Sequence, residues 1–292
     1  MGEQKVKIGL IQTECGPLIK DNLYRQMGLI RDAAEEGAQI VCLQELFSTP
    51  YFCTNYDEKY FDWAEPLGGE MQDSLSELAS ELKIVIVAPF FERRAKGIYH
   101  NSLMVIDADG SFLGVYRKMH IPDDPGFYEK YYFTPADDNQ GYKIFDTAYG
   151  RIGTLICWDQ WFPEAARITA LMGADIIFYP TAIGVLSSES KEEKKAFHDA
   201  WETIQRSHAI ANGCFAASVN RVGKEEGTRF WGGSFISGPF GEIIKKAGEK
   251  EEVLVAECDL SAIEKQRKTW PFFRDRRIDS YSPILKRYLD NS

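Results

Sequence analysis

Three polar residues of this 292-residue sequence share one local setting. Glu45 follows the apolar run IVCLQ, Lys118 follows FLGVYR, and Cys157 closes RIGTLIC. Short apolar runs rich in β-branched residues predict strands. Each of the three therefore stands at or just past the C-terminal end of a strand, the edge at which open α/β sheets bind ligands. A thiol can attack a carbonyl carbon, a carboxylate can take its proton, and an ammonium can stabilise the oxyanion that develops. Each has a plainer use on its own. A cysteine closing a buried strand is a small hydrophobe, and a Glu or Lys at a strand end is commonly solvated. The coincidence of the three points to acyl-transfer chemistry.

Cys157 is followed by WDQWFPEAAR, a turn leading into a helix with Pro163 in its first turn. A helix N-terminus favours a thiolate and offers N–H groups to an oxyanion. The proton acceptor is either a histidine or a buried glutamate whose pKa desolvation raises. Among the histidines, His208 sits on an apolar helix face and His198 follows the charged run KEEKK at 191–195. His120 lies two residues after Lys118, near the proposed site.

The elements that must position these groups alternate along the chain. Residues 6–12 read as a strand, followed by a helix capped by Asp21, with Leu23, Met27, Ile30 and Ala34 on one face and Gly37 as its stop. A strand from Ile40, a helix through Met71, Leu75, Leu78 and Leu82, and a doubly buried strand from Ile84 come next. NSLMVIDADGSFLGVYRK reads as a hairpin turning at Asp109-Gly110. The strand 151–157 leads to a helix over 164–172 closed by Gly173. ADIIFYP, FAASVN, GGSFISG and EVLVAEC read as strands, with a helix between the first two that places Phe197, Trp201, Ile204, His208 and Ala211 on one face and ends at Gly213. No linker divides the chain, so the expectation is one α/β domain spanning 1–292.

Hydrophobic residues at 44% and charged residues at 27% exclude a disordered, collagen-like or coiled-coil chain. No run of 18 apolar residues occurs, so no membrane span is expected. MGEQKVKIGLIQTE sets charges before a short apolar run without a small-residue cleavage site, which makes a cytoplasmic location and six reduced cysteines the expectation. No C-x-x-C pair occurs, DADG at 107–110 brings its glycine too early for an EF-hand, and WGGSFISG lacks the Lys-Ser/Thr of a phosphate loop. A net charge of −10 disfavours a nucleic-acid partner and welcomes a cationic substrate.

LQELF around Glu45, YRKMHIP around Lys118, YEKYYF at Glu129 and ICWDQWFPEAAR around Cys157 resemble the nitrilase (carbon–nitrogen hydrolase) superfamily, from KIGLIQT to FFRDRR. The resemblance implies a single-domain α-β-β-α sandwich of two packed mixed sheets covered by helices. It implies no metal and no organic cofactor. Glu45 would take the Cys157 proton and later deliver it to the leaving ammonia. Lys118 and the Trp158 backbone N–H would hold the oxyanion, and Glu129 would orient Lys118 or assist the water. A homo-oligomer, dimer or larger, is implied, with the C-terminal segment from about 260 to 292, including RDRR at 274–277, in subunit contacts. PYFC, IPDDPGFYEKYYF and FYPTAIG resemble in particular the branch that acts on N-carbamoylputrescine. That implies hydrolysis to putrescine, CO₂ and ammonia through a Cys157 acyl-enzyme. The residues expected to bind the substrate are Trp158, His120, Asp124, Tyr51 and Thr181.

Between Trp158 and Trp161 there is no cation, and none follows until Arg167. A carboxylate-bearing ureido acid is best held by Arg, so the expected substrate is an apolar chain ending in an ammonium. Tyr51, Phe52 and Trp161 could cover its methylenes. Where members of that branch read PTAIGSE, this chain reads PTAIGVL, with Val185 and Leu186. Another acid must then meet the amine: Asp124 first, Glu189 or Glu192 next. The alternatives are a β-ureidopropionase-like enzyme, an aliphatic amidase, or a non-catalytic α/β binding protein. The intact Glu45, Lys118, Glu129 and Cys157 set argues against the last.

Overall fold

The computed structural model describes residues 4–137 and 141–290. Its first sheet contains β1 (Lys5–Gln12), β2 (Ile40–Leu43), β3 (Val85–Ala95), β4 (Ile98–Ile106), β5 (Phe112–Arg117) and the late strand β15 (Glu252–Asp259). The second contains β6 (Ile144–Thr147), β7 (Gly150–Thr154), β8 (Ile176–Thr181), β10 (Phe215–Asn220), β13 (Phe235–Ser237) and β14 (Ile243–Lys246). Strand orders are β15-β1-β2-β3-β4-β5 and β14-β13-β10-β8-β7-β6. Each sheet is parallel at its centre, β1-β2-β3 and β10-β8-β7, and antiparallel towards its edges.

Period-two alternation decides which way each strand faces. Val6, Ile8 and Leu10 of β1, Ile40 and Cys42 of β2, and Val85 and Val87 of β3 enter the core shared with the second sheet. Ile11, Val41, Leu43, Ile86 and Ala88 enter a separate core beneath α1 (Ile19–Glu35) and α2 (Glu70–Leu82). On the far side α4 (Pro163–Leu171) and α5 (Lys191–Asn212) cover the second sheet, with Ala165, Ala166, Ala170 and Ala209 fully buried. The result is the α-β-β-α sandwich. The one-turn α3 (Glu129–Tyr132) and α6 (Ser261–Thr269) complete the helices.

Several local expectations are corrected. α1 starts at Ile19, and its cap Leu18 makes no side-chain bond; Asp21 lies in the first turn, where its charge suits the helix dipole. β7 ends at Thr154, so Cys157 stands beyond the strand in a 3₁₀ turn, Cys157–Trp161. KEEKK is, as its charges predict, a largely solvated face, and it forms the first turn of α5, closed by a Ser190–Glu193 capping box. The buried face of α5 is partly polar, through Trp201, Gln205, His208 and Asn212, and each of these side chains makes a hydrogen bond. A third sheet, β9 (Gly184–Leu186), β11 (Val222–Glu225) and β12 (Thr228–Trp231), in the order β11-β12-β9, has no counterpart in the sequence reading.

Candidate active site

The parallel centres of both sheets end on the same side. Glu45 follows β2, Cys157 follows β7, Ala182 follows β8, Arg221 follows β10, and Lys118 follows the antiparallel β5. Lys118 Nζ donates to Glu45 Oε1 at 2.9 Å and to Glu129 Oε2 at 2.6 Å. Glu45 Oε1 also accepts from Asn101 Nδ2 at 2.7 Å, and its Oε2 from the Ala182 backbone N–H at 2.8 Å. Glu129 Oε1 accepts from the Tyr51 hydroxyl at 2.9 Å. Glu45, Lys118 and Glu129 are almost completely shielded from water. The four residues expected to do chemistry are therefore brought together, three by direct bonds and Cys157 within electrostatic reach of all three.

Burial works against the Lys118 ammonium, but Glu129 and Glu45 outweigh it and hold its pKa well above the usual lysine range. Burial pushes the Glu129 carboxyl up, Lys118 opposes and Glu45 adds, and the carboxyl titrates at about 7. For Cys157, burial comes first, Glu45 adds to it, and Lys118 only partly offsets them, so the thiol lies well above its ordinary value. This corrects the expectation of a thiolate favoured by a helix N-terminus. α4 begins only at Pro163, six residues beyond, and the cysteine faces a carboxylate in a dry site. The nucleophile must be made by proton transfer to a neighbour.

The cysteine turn is held by Asp159, which has no solvent exposure. Its carboxylate accepts from the Tyr116 hydroxyl at 2.7 Å, the Ile156 N–H at 3.0 Å, the His120 N–H at 3.0 Å and the His120 ring Nδ1 at 2.7 Å. Asp159 thus ties the turn carrying Cys157 to the segment carrying Lys118. Cys157 itself sits at φ 42°, a left-handed conformation that costs a non-glycine residue about 1–3 kcal/mol. Those bonds supply the restraint that this conformation requires.

A cavity of about 460 Å³ opens onto the cysteine. Tyr51, Trp158, Trp161 and Trp231 supply aromatic walls, and Leu186 another apolar one. Three carboxylates line it, Asp124, Glu129 and Glu189, and no Lys or Arg does so among the described residues. Of the acids expected for the amine, Asp124 is exposed, whereas Glu189 Oε2 accepts from the Leu186 N–H at 2.7 Å. Glu192 lies outside, in the first turn of α5. Three further expectations are corrected. His120 is turned to Asp159 and stacked on Phe162 at 3.7 Å, away from the cavity lining. Thr181 is fully buried, with its hydroxyl on Gln160 Oε1 at 3.1 Å. Phe52 packs among Tyr60, Trp63, Phe91, Tyr132 and Phe133, in a separate aromatic core.

Sequence reasoning missed Asn101, the Ala182 N–H, Asp159 and Arg221. Each is polar and next to an apolar run that the fold buries, and a lone polar residue there has no sequence signature of its partner. The six cysteines are all unpaired. No group of three or more His, Cys, Asp or Glu among the described residues is arranged to hold a metal ion.

The Carbon-nitrogen hydrolase family model matches residues 7–268. The chain is 45% identical over 297 residues to the N-carbamoylputrescine amidase of Solanum lycopersicum, covering 98% of this chain and 96% of that protein. It is 40% identical over 289 residues to a citrullinase of Francisella tularensis, covering 97% and 99%. The crystal structure of a carbon–nitrogen hydrolase from Helicobacter pylori G27 superposes with a TM-score of 0.94 at 48% identity, over 98% of this chain and 100% of that one.

Proposed function

The chain belongs to the carbon–nitrogen hydrolase family, and on that premise we propose that it hydrolyses N-carbamoylputrescine to putrescine, CO₂ and ammonia. The observation that carries the reading is a cavity ending at Cys157, walled by aromatic rings and acids and lined by no cation among the described residues. A butyl chain fits apolar walls, and an ammonium fits Asp124 or an aromatic face. The N-carbamoylputrescine amidases at 44–45% identity support the same substrate.

In this reading Glu45 accepts the Cys157 proton as the sulfur attacks the ureido carbon. The C–S bond forms and the carbonyl electrons move to oxygen. Lys118 and the Trp158 N–H stabilise that oxyanion. Its collapse breaks the bond to the terminal nitrogen, which takes the proton from Glu45 and leaves as ammonia. Water then attacks the thiocarbamate, with Glu45 taking its proton and Glu129 holding Lys118 in place. The C–S bond breaks, the proton returns to sulfur, and the freed carbamate decomposes to CO₂ and the amine. The same reading is of a cytoplasmic homo-oligomer, with the segment from about 260 to 292 in subunit contacts. The exposed Ile278, Ile284, Leu285 and Leu289 support that role.

The relative named a citrullinase favours a second reading, in which the far end of the ureido substrate carries a carboxylate as well as an amine. The uncharged and acidic lining weighs against it. Ammonia release from N-carbamoylputrescine, citrulline and N-carbamoyl-β-alanine decides. A carboxylate desolvated without a cationic partner loses several kcal/mol, and about 3 kcal/mol is roughly 150-fold in kcat/KM. Equal or faster turnover of either acid would refute the substrate while leaving the cysteine chemistry standing. No turnover of any ureido or amide substrate would refute the enzyme.

A further inference from the structure

The mechanism uses one buried cation, Lys118, yet the site holds a second. Arg221 has no solvent exposure and follows the last residue of β10. One of its terminal nitrogens donates to three backbone carbonyls, Glu45 O at 3.0 Å, Leu46 O at 2.9 Å and Thr49 O at 3.1 Å. These carbonyls belong to the turn that carries Glu45 out of β2, in which Leu46 adopts φ 50°. The other terminal nitrogen donates to Glu225 Oε1 at 2.8 Å, and Glu225 Oε2 accepts the Tyr51 N–H at 2.5 Å. The guanidinium lies over Phe230 at 5.5 Å, and Phe230 meets the Tyr51 ring edge-on at 5.7 Å. One side chain thus braces the backbone of Glu45 and, through Glu225 and Phe230, the residue that holds Glu129.

We propose that Arg221 is a positioning residue for Glu45, fixing the backbone from which the proton acceptor projects. The inference rests on the reading of Glu45 as the proton acceptor. A non-glycine residue at positive φ needs its surroundings to over-determine it, and three carbonyls on one nitrogen do so. The groups facing Glu45 are Lys118, Cys157, Glu129, Tyr51 and Cys53. Those facing Arg221 are Glu225, Cys15, Cys53 and Glu45 itself.

The test compares Arg221→Met, which removes charge and donors, with Arg221→Lys, which keeps the charge and loses the planar fork. Two measurements are made across pH. One is kcat and KM for ammonia release from N-carbamoylputrescine. The other is the alkylation rate of Cys157 by iodoacetamide, read on its peptide by mass spectrometry. For Arg221→Met the expected result is a kcat lower by on the order of 10–100-fold, with KM changed much less, as for a displaced catalytic group. Alkylation of Cys157 should slow in parallel, because a displaced carboxylate takes the thiol proton less readily. Arg221→Lys should also lose kcat with KM changed much less, because an ammonium cannot replace the planar fork that spans the three carbonyls and Glu225. A folded Arg221→Met with a wild-type kcat and a wild-type Cys157 alkylation rate would overturn the proposal. If Arg221→Met does not fold, wild-type kcat in Arg221→Lys overturns it. If the wild-type protein releases no ammonia, the functional reading fails alone, because the alkylation profile still reports whether Arg221 acts on Glu45.

Discussion

Tyr51→Phe removes one oxygen atom from the site and leaves the wall of the cavity in place. The ring packs against Phe127 and Phe230, each with centroids 5.7 Å away, and Phe keeps both contacts. What disappears is the 2.9 Å hydroxyl bond to Glu129 Oε1. A bond to an ionised acceptor contributes about 1.5–3 kcal/mol. At about 1.4 kcal/mol per pH unit, losing it should move the Glu129 carboxyl upward by about 1–2 pH units from about 7. The native state already binds this proton more tightly than the unfolded chain does. The stability it supplies is full below about pH 4.5 and is lost as pH rises to about 7. In the variant that loss should continue to higher pH. The stability gap to wild type should therefore be small near pH 6 and grow by roughly 1–2 kcal/mol by about pH 9. In the enzyme, less Glu129 is ionised to hold Lys118 at neutral pH, so the acid-side inflection of kcat should rise by about one pH unit or more. Ammonia release across pH and thermal melts at the two ends of that range measure both effects. An unmoved inflection, with a melting difference equal at low and high pH, would refute the reasoning.

Cys157→Ser should fold with its spectra unchanged and release no ammonia, because a hydroxyl beside a carboxylate is much harder to deprotonate than a thiol; turnover near the wild-type rate would end the acyl-enzyme mechanism. Lys118→Ala should lower kcat by on the order of 10²–10³, the loss of one oxyanion donor, and should also leave Glu45 and Glu129 buried without their shared cation, so melts must accompany the kinetics. His120→Ala should weaken the enzyme without abolishing it, since His120 braces Asp159, whereas Glu45→Gln should be inactive; the reverse pattern would make histidine the base. Asp124→Asn should narrow the preference for N-carbamoylputrescine over N-carbamoyl-β-alanine by slowing the amine substrate; an unchanged ratio would move the amine anchor to Glu189, which also lines the cavity.

What the sequence determined by itself is the part that repeats at short range. Short apolar runs in VKIGLIQ, IVCL and IVIVAPF, stop signals at Gly37 and Gly173, and the Asp109-Gly110 turn specify strands, helices and a hairpin. The ends of those runs mark Glu45, Lys118 and Cys157 as residues placed at strand edges. Partnership is different, because it depends on where two sheets distant in sequence bring their ends. Asn101 reaches Glu45 across 56 residues, the Ala182 N–H across 137 and Arg221 across 176. No spacing rule encodes such contacts. The same holds for what the fold withdrew from the cavity. His120, Thr181 and Phe52 sit close in sequence to residues that line it, but Asp159, Gln160 and a cluster of rings claim them. The state of the nucleophile was likewise decided by tertiary structure. The turn after Cys157 reads as a site that favours the thiolate. Closing two sheets over it removes water and sets Glu45 beside it, and in a dry site desolvation and a neighbouring carboxylate outweigh a distant helix end.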